Sequence, residues 1–185
     1  MKLIILDRDG VINKDSDAYI KSPDEWLPIA GSLQAIARLK RAGYVVTVAT
    51  NQSGIGRGLF DLSALTAMHT KMQRLLAELD VQIDGIFFCP HAPDAGCACR
   101  KPKPGLLQAI GQRFATSLEA VPVIGDSERD IEAAWRVHAR PLLVNTGKGS
   151  RVDSQRYADV PRYENLASVV DSLLQTNQVI SDDKN

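Results

Sequence analysis

Two carboxylates stand two residues apart in the stretch Asp7-Arg8-Asp9-Gly10-Val11-Ile12-Asn13, directly after a short apolar run. On an extended segment, residues i and i+2 point the same way, so Asp7 and Asp9 share one small space. Such crowding suits a hard cation. Mg²⁺, which takes oxygen ligands, would relieve it and leave one carboxylate free to attack an electrophile. A solvated turn whose acids cap the next segment is the plainer reading of the pair taken alone. A second cluster, Thr50-Asn51-Gln52-Ser53-Gly54-Ile55-Gly56-Arg57-Gly58, offers a hydroxyl, two amides and flexible backbone donors, the makings of a phosphate or sugar cradle. Its glycines follow GxGxG spacing rather than the GxGxxG of a dinucleotide-binding loop.

All three cysteines fall within Cys89-Pro90-His91 and Cys97-Ala98-Cys99. The pattern Cys-x-His-x5-Cys-x-Cys supplies the four ligands of a closed, structural zinc site, with buried free thiols as the plainer alternative. A zinc there would pin an irregular loop, so that the Arg100-Lys101 pair that follows projects at a defined place. Lys103 reads as a solvated charge, and His69 and His138 as structural or surface residues. Gly125-Asp126-Ser127-Glu128-Arg129-Asp130 places Asp126 as a metal ligand and Asp130 as its supporting acceptor or a helix-start acid. The Gly147-Lys148-Gly149-Ser150 stretch lacks Ser or Thr directly after Lys, fails the phosphate-loop template, and reads as a plain loop.

These clusters need a scaffold that brings them together. Short apolar runs at 2–6, 44–49, 86–88, 121–124 and 142–144 read as buried parallel strands. Helical periodicity covers 32–42, 62–79, 104–114 and 127–138. The alternation predicts an α/β fold, a three-layer Rossmann-like sandwich with a central parallel sheet. In such a sheet ligands bind beyond the carboxyl ends of the strands, where every cluster above falls. Residues 14–28 read as a polar insertion. Residues 1–175 read as a single domain, and 176–185 as a polar, frayed tail.

The chain has 185 residues, with 22 basic and 22 acidic side chains and a formal net charge of zero. That balance argues against a polyanion binder held by counterion release. No apolar run approaches the ~20 residues of a spanning helix, and no signal peptide is visible, so the expectation is a cytoplasmic protein.

Asp7 and Asp9, Thr50, Lys101 and Asp126, in this order at successive strand ends, resemble the four motifs of the haloacid dehalogenase (HAD) superfamily of phosphotransferases. DRDGVIN, TNQSGIGRG, the CPH…CxCRKPKPG loop and GDSERD are similar to a branch of sugar-bisphosphate phosphatases that serve bacterial surface-polysaccharide synthesis. The resemblance implies Asp7 as nucleophile and Asp9 as general acid and base. It implies Mg²⁺ on the Asp7 carboxylate, the Asp9 carbonyl and Asp126, with Thr50 and Lys101 on the transferred phosphoryl group. As an acid, Asp9 would need a raised pKa, which closeness to Asp7 could supply unless the metal offsets it. Asn51, Gln52, Ser53, Arg57 and Arg100 are candidates for the sugar and a distal phosphate, and Asp15, Ser16, Asp17, Ala18 and Tyr19 correspond to the family's substrate loop. Ser127 stands where some relatives carry Lys. The spacing already assigns zinc to Cys89, His91, Cys97 and Cys99, and the small size with no obvious large cap domain points to an open site closed only by loops and to a monomer. Histidinol-phosphate phosphatase, a nucleic-acid 3′-phosphatase, a phosphoacceptor receiver domain and an inactive sugar-phosphate binder are the rival readings. Arg57 and Arg100 favour a second phosphate over a cationic amine.

Overall fold

The computed structural model describes residues 1–182, and for 176–182 the backbone alone. Six strands, β1 (Lys2–Leu6), β2 (Tyr44–Asn51), β3 (Gly85–Cys89), β4 (Pro122–Gly125), β5 (Arg140–Val144) and β6 (Arg162–Tyr163), form one parallel sheet in the order β3-β2-β1-β4-β5-β6. The helices are α1 (Ser32–Arg41), α2 (Ser53–Gly56), α3 (Leu62–Ala77), α4 (Gly105–Arg113), α5 (Glu128–Trp135) and α6 (Leu166–Asp182).

The strand period of two sorts the core. Ile4 and Leu6 of β1 face α1, α3 and α6 through Ile36, Leu39, Met68, Met72, Val169 and Val170. Leu3 and Ile5 face the opposite layer, where Leu106, Leu107 and Ile110 of α4 and Ala133 and Ala134 of α5 pack. Both faces are therefore dry, which is why the strands read as unbroken apolar runs. The order reverses between β1 and β4, and the crevice opened there is the natural ligand site of a doubly wound sheet.

Three elements differ from the sequence expectation. The two-residue β6 is too short to leave a periodic signal, and so is the four-residue α2. The expected tail is helical backbone through Asp182, because α6 continues past residue 175, while 183–185 lie outside the described residues. Among the described residues no helix is long and apolar enough to cross a membrane.

The insertion at 14–28 leaves and rejoins the body at one point, where Asn13 bridges Pro28 and the Lys14 N–H donates to the Leu27 carbonyl at 2.9 Å. Its polar composition conceals two apolar anchors, Ile20 and the fully buried Trp26. Lys71 of α3 donates to the carbonyls of Pro23 and Trp26 at 2.7 and 2.8 Å and lies 6.0 Å from the indole ring centre. The flap is thus fastened to the domain. Trp26→Ala should destabilise the protein by about 3–5 kcal/mol, read by chemical denaturation; a loss under about 1 kcal/mol would mean the indole does not anchor the flap.

Candidate active site

β1 delivers Asp7 and β4 delivers Asp126 to the same end of the sheet, on adjacent parallel strands. Asp126 is 3% exposed. Room for it comes from two glycines in left-handed backbone, Gly10 (φ 83°) and Gly147 (φ 61°), at each of which a Cβ would collide with the Asp126 carboxylate. The Lys148 backbone N–H donates to Asp126 Oδ2 at 2.8 Å.

Lys101 arrives from the loop between β3 and α4 and is 3% exposed. Its ammonium donates to the Ala49 carbonyl at 2.7 Å and to Asp130 Oδ1 at 2.5 Å, and lies 3.1 Å from Asp7 Oδ1. Burial pulls its pKa down, but Asp130 and Asp7 outweigh that and hold it above the usual lysine value, favouring the ammonium form. Asp130 serves twice. Oδ1 takes Lys101, while Oδ2 accepts from the Ser127 N–H and hydroxyl at 3.1 and 2.6 Å in a capping box that starts α5.

Carboxylate oxygens of Asp7, Asp126 and Asp130 lie within 4.8 Å of one another. Burial first, then the neighbouring acids against Lys101, push Asp7 up to about 7. Burial, Asp7 and Asp130 push Asp126 up to about 8. A cluster of hard oxygens that resists ionising by itself fits a small divalent cation such as Mg²⁺.

Asp9 departs from its expectation. Burial favours its neutral form, but the Arg8 guanidinium, Asn13 and Gln52 outweigh burial and hold the carboxyl below the usual carboxylate range. Arg8 donates to Asp9 Oδ1 from Nε at 3.1 Å and to both oxygens from Nη2 at 2.8 and 3.0 Å. Asn13 Nδ2 and Gln52 Nε2 add bonds at 2.9 and 2.8 Å. Closeness to Asp7 is overridden because an arginine lies between them.

Two residues expected to bind substrate, Asn51 and Gln52, also fasten the site together. Asn51 exchanges two hydrogen bonds of 3.0 Å with the backbone of Lys101, tying the end of β2 to the loop that carries the lysine. Gln52 spans Asp9, Arg8 and the buried Thr50, donating to the Thr50 hydroxyl at 2.8 Å.

The soft-ligand cluster assembles as its spacing predicts. Cys89 Sγ lies 3.7 Å from Cys97 Sγ, 3.2 Å from Cys99 Sγ and 3.5 Å from His91 Nδ1, which lies 3.2 Å from Cys99 Sγ. A tetrahedron of sulfurs about 2.3 Å from zinc has edges of about 3.7 Å, so the four ligands fit that metal. Burial opposes ionisation of Cys97, but the Arg100 N–H and the other two thiols bring it down to about 6. The loop also rests on the protein: the Gly56 N–H donates to the Pro90 carbonyl at 2.8 Å, and Lys103, expected to be solvated, donates to the carbonyls of Gly96 and Cys97 at 3.1 and 2.8 Å.

Between these groups lies a cavity of about 260 Å³ lined by Asp7, Asp9, Thr50, Asn51, Gln52, Ser53, Lys101 and Asp126 at its base. Asp15, Ser16, Asp17, Tyr19, Arg57 and Arg100 line its rim, while Ala18 is exposed and outside the lining. Ile20, Pro93, Ser127, Arg129 and Lys148 join the lining without having been expected there. Lys148 sits in the loop after β5 that failed the phosphate-loop template, and pairs with Asp15 at 2.6 Å. Lys148 also lies 3.7 Å from Asp17, and Arg151 pairs with Asp17 at 3.3 Å, so three ion pairs hold the flap over the crevice. Arg100 Nη1 is buried without a hydrogen-bond partner, and nearby Arg129 disfavours its charge after burial does, so this rim calls for an anion.

The doubly wound sheet, the paired aspartates and the buried lysine together define a phosphohydrolase of the HAD type. A HAD-hydrolase-like family model matches residues 98–175, and one for polynucleotide kinase 3 phosphatase matches 2–132. D-glycero-beta-D-manno-heptose-1,7-bisphosphate 7-phosphatase of Bordetella bronchiseptica is 54% identical over 179 residues, 95% of this chain and 99% of its own. The enzyme of that name from Pseudomonas aeruginosa is 52% identical over 94% of this chain and 98% of its own. A crystal structure of the D,D-heptose 1,7-bisphosphate phosphatase of B. bronchiseptica with magnesium and phosphate superposes with a TM-score of 0.92 at 53% identity, covering 95% of this chain and 99% of that one. The chain belongs to the HAD-like hydrolases, in the family of the D-glycero-beta-D-manno-heptose-1,7-bisphosphate 7-phosphatases.

The crowded acids make a pH prediction for protein freed of divalent cations. Asp7 and Asp126 keep their protons in the fold to higher pH than in the unfolded chain, so the fold binds more protons between about pH 4 and 8 and stability falls as pH rises through that window. Chelator-treated protein should melt lower at pH 8 than at pH 5, and Asp126→Asn should raise its stability at pH 8 by about 1 kcal/mol or more. Melting curves independent of pH would show that the acids do not repel one another as described.

Proposed function

We propose that this chain is a Mg²⁺-dependent phosphatase that removes the 7-phosphate of D-glycero-beta-D-manno-heptose 1,7-bisphosphate through an aspartyl-phosphate intermediate, in heptose precursor synthesis for surface polysaccharide. The observation that carries the chemistry is Asp7, 3.1 Å from the buried ammonium of Lys101 and beside Asp126. The relatives named above supply the substrate. The cations at the cavity rim, Arg57, Arg100, Arg129 and Lys148, suit a second phosphate better than the amino group of histidinol phosphate.

Asp7 attacks the phosphorus, the bond from phosphorus to the sugar's O7 breaks, and its electron pair stays on O7, which takes a proton from Asp9. Water then attacks the acyl phosphate, gives its proton to the Asp9 carboxylate, and releases phosphate with Asp7 restored. Mg²⁺, held by the Asp7 and Asp126 carboxylates and the Asp9 carbonyl, would neutralise charge on the phosphoryl oxygens. Lys101 and Thr50 hold those oxygens from the protein's side. Asp9 is an anion at rest, the form that accepts the water proton. The proton it gives to O7 comes in on the substrate, whose phosphate has a second pKa of about 6, and the proton it then takes from water passes to the departing phosphate, so that Asp9 ends as the anion it began.

Zinc on Cys89, His91, Cys97 and Cys99 fixes the loop that sets Lys101. Thiols that stay reduced and bind metal fit the cytoplasmic location expected from the sequence. One chain carries every group the reaction needs, so a monomer suffices.

Phosphate release from the 1,7-bisphosphate, with phosphorus NMR identifying the phosphate that remains, tests the reading. Loss of the 7-phosphate is expected, and preference for histidinol phosphate would overturn it. Asp7→Asn should abolish turnover with the fold intact. Cys97→Ser should lower bound zinc from one equivalent, by elemental analysis, and reduce kcat; wild-type protein purified without zinc would remove the structural metal.

A further inference from the structure

Arg8 stands between the two catalytic aspartates and carries no role in the reading above, yet it is 0% exposed. Burying a guanidinium costs several kcal/mol unless partners meet its N–H groups. Its main partner, Asp9, is the next residue in the chain, so the ion pair ties no two elements together and adds little to the fold's stability. What the pair does fix is a direction. Nε and Nη2 grip both Asp9 oxygens, and Nη2 also donates to Gln52 Oε1 at 3.2 Å.

The guanidinium is itself braced from outside the strand ends. His69, on α3 between the buried Leu65, Met68 and Met72, places Nε2 3.4 Å from Arg8 Nη1. Burial, then the charge of Arg8, brings the imidazole down to about 4, so it is neutral and can offer a lone pair to the guanidinium. His69, read from the sequence as a structural or surface residue, thus has a specific partner in Arg8.

We infer that Arg8, braced by His69, is a positioning residue that aims the Asp9 carboxyl group at the sugar leaving oxygen and the hydrolytic water. The inference rests on the acid–base role proposed for Asp9.

The test uses leaving-group chemistry. O7 of a sugar must be protonated as it departs, whereas 4-nitrophenolate leaves without a proton. The first phosphoryl transfer to Asp7 is followed by quenched flow, with heptose 1,7-bisphosphate and with 4-nitrophenyl phosphate. Arg8→Lys and His69→Phe should slow transfer from the bisphosphate by about 10-fold or more and about 3-fold respectively, part of the 10²–10⁴-fold available to general acid catalysis, while 4-nitrophenyl phosphate changes less than about 2-fold. KM should stay within about 2-fold, and His69→Gln, which restores an acceptor oxygen, should recover most of the rate. Equal losses on both substrates, or no loss on either, would overturn the inference. Asp9→Asn is the reference: without a selective loss there, the acid–base reading falls and this inference with it, whereas a selective loss in Asp9→Asn alone sinks only the inference. Should Arg8→Lys fail to fold, the His69 variants, altered at a partly exposed ring, decide the matter.

Discussion

Three carboxylates that cannot comfortably ionise together sit where the sheet reverses its strand order, and much of the structure is arranged around their repulsion. Asp7 and Asp126 come from adjacent strands, and Asp130 follows one helical turn after Asp126. Lys101 draws the first and third of these together from a buried position. Glycines at 10 and 147 let backbone close round Asp126 without a side chain in the way. One ammonium does not balance three acids, and the remainder of the charge is what makes the crevice a cation site rather than a salt-bridged core.

Arg8 divides the acids into two electrostatic compartments. On one side Asp7 and Asp126 are pushed up by burial and by each other. On the other Asp9, two residues from Asp7, is held down by a guanidinium and two amides. Two like groups with opposed environments can do different jobs in one reaction, and here burial on one side and the Arg8, Asn13 and Gln52 side chains on the other create the difference.

The strand ends were readable from sequence because a parallel strand buried on both faces is an apolar run, and the first polar residues after it must face the ligand crevice. The clustering of Cys89, His91, Cys97 and Cys99 was readable from spacing, since four soft ligands within eleven residues have few other uses. Three contributors were not readable, for different physical reasons. His69 meets Arg8 across 61 residues of chain, a pairing that only the packing of α3 creates. Lys148 lies in a loop whose sequence mimics and then fails a known template, and its place beside Asp126 depends on the left-handed turn at Gly147. Trp26 was hidden in a stretch whose average composition is polar, because one large side chain can anchor a segment that surrounds it with solvated residues.

The strand that carries Asp7 is central in the sheet but precedes the other strands in the sequence. β1 needs β4 beside it, and Asp126 and Gly147 near its carboxyl end, before the crevice exists. During translation Asp7 therefore waits, as an ordinary acid in an incomplete sheet, until the chain through Gly147 has left the ribosome at about 5–20 residues per second. The electrostatic burden of the finished site therefore arises only when Asp126 and Gly147 join β1, and a nascent chain that stops short of them has no assembled crevice.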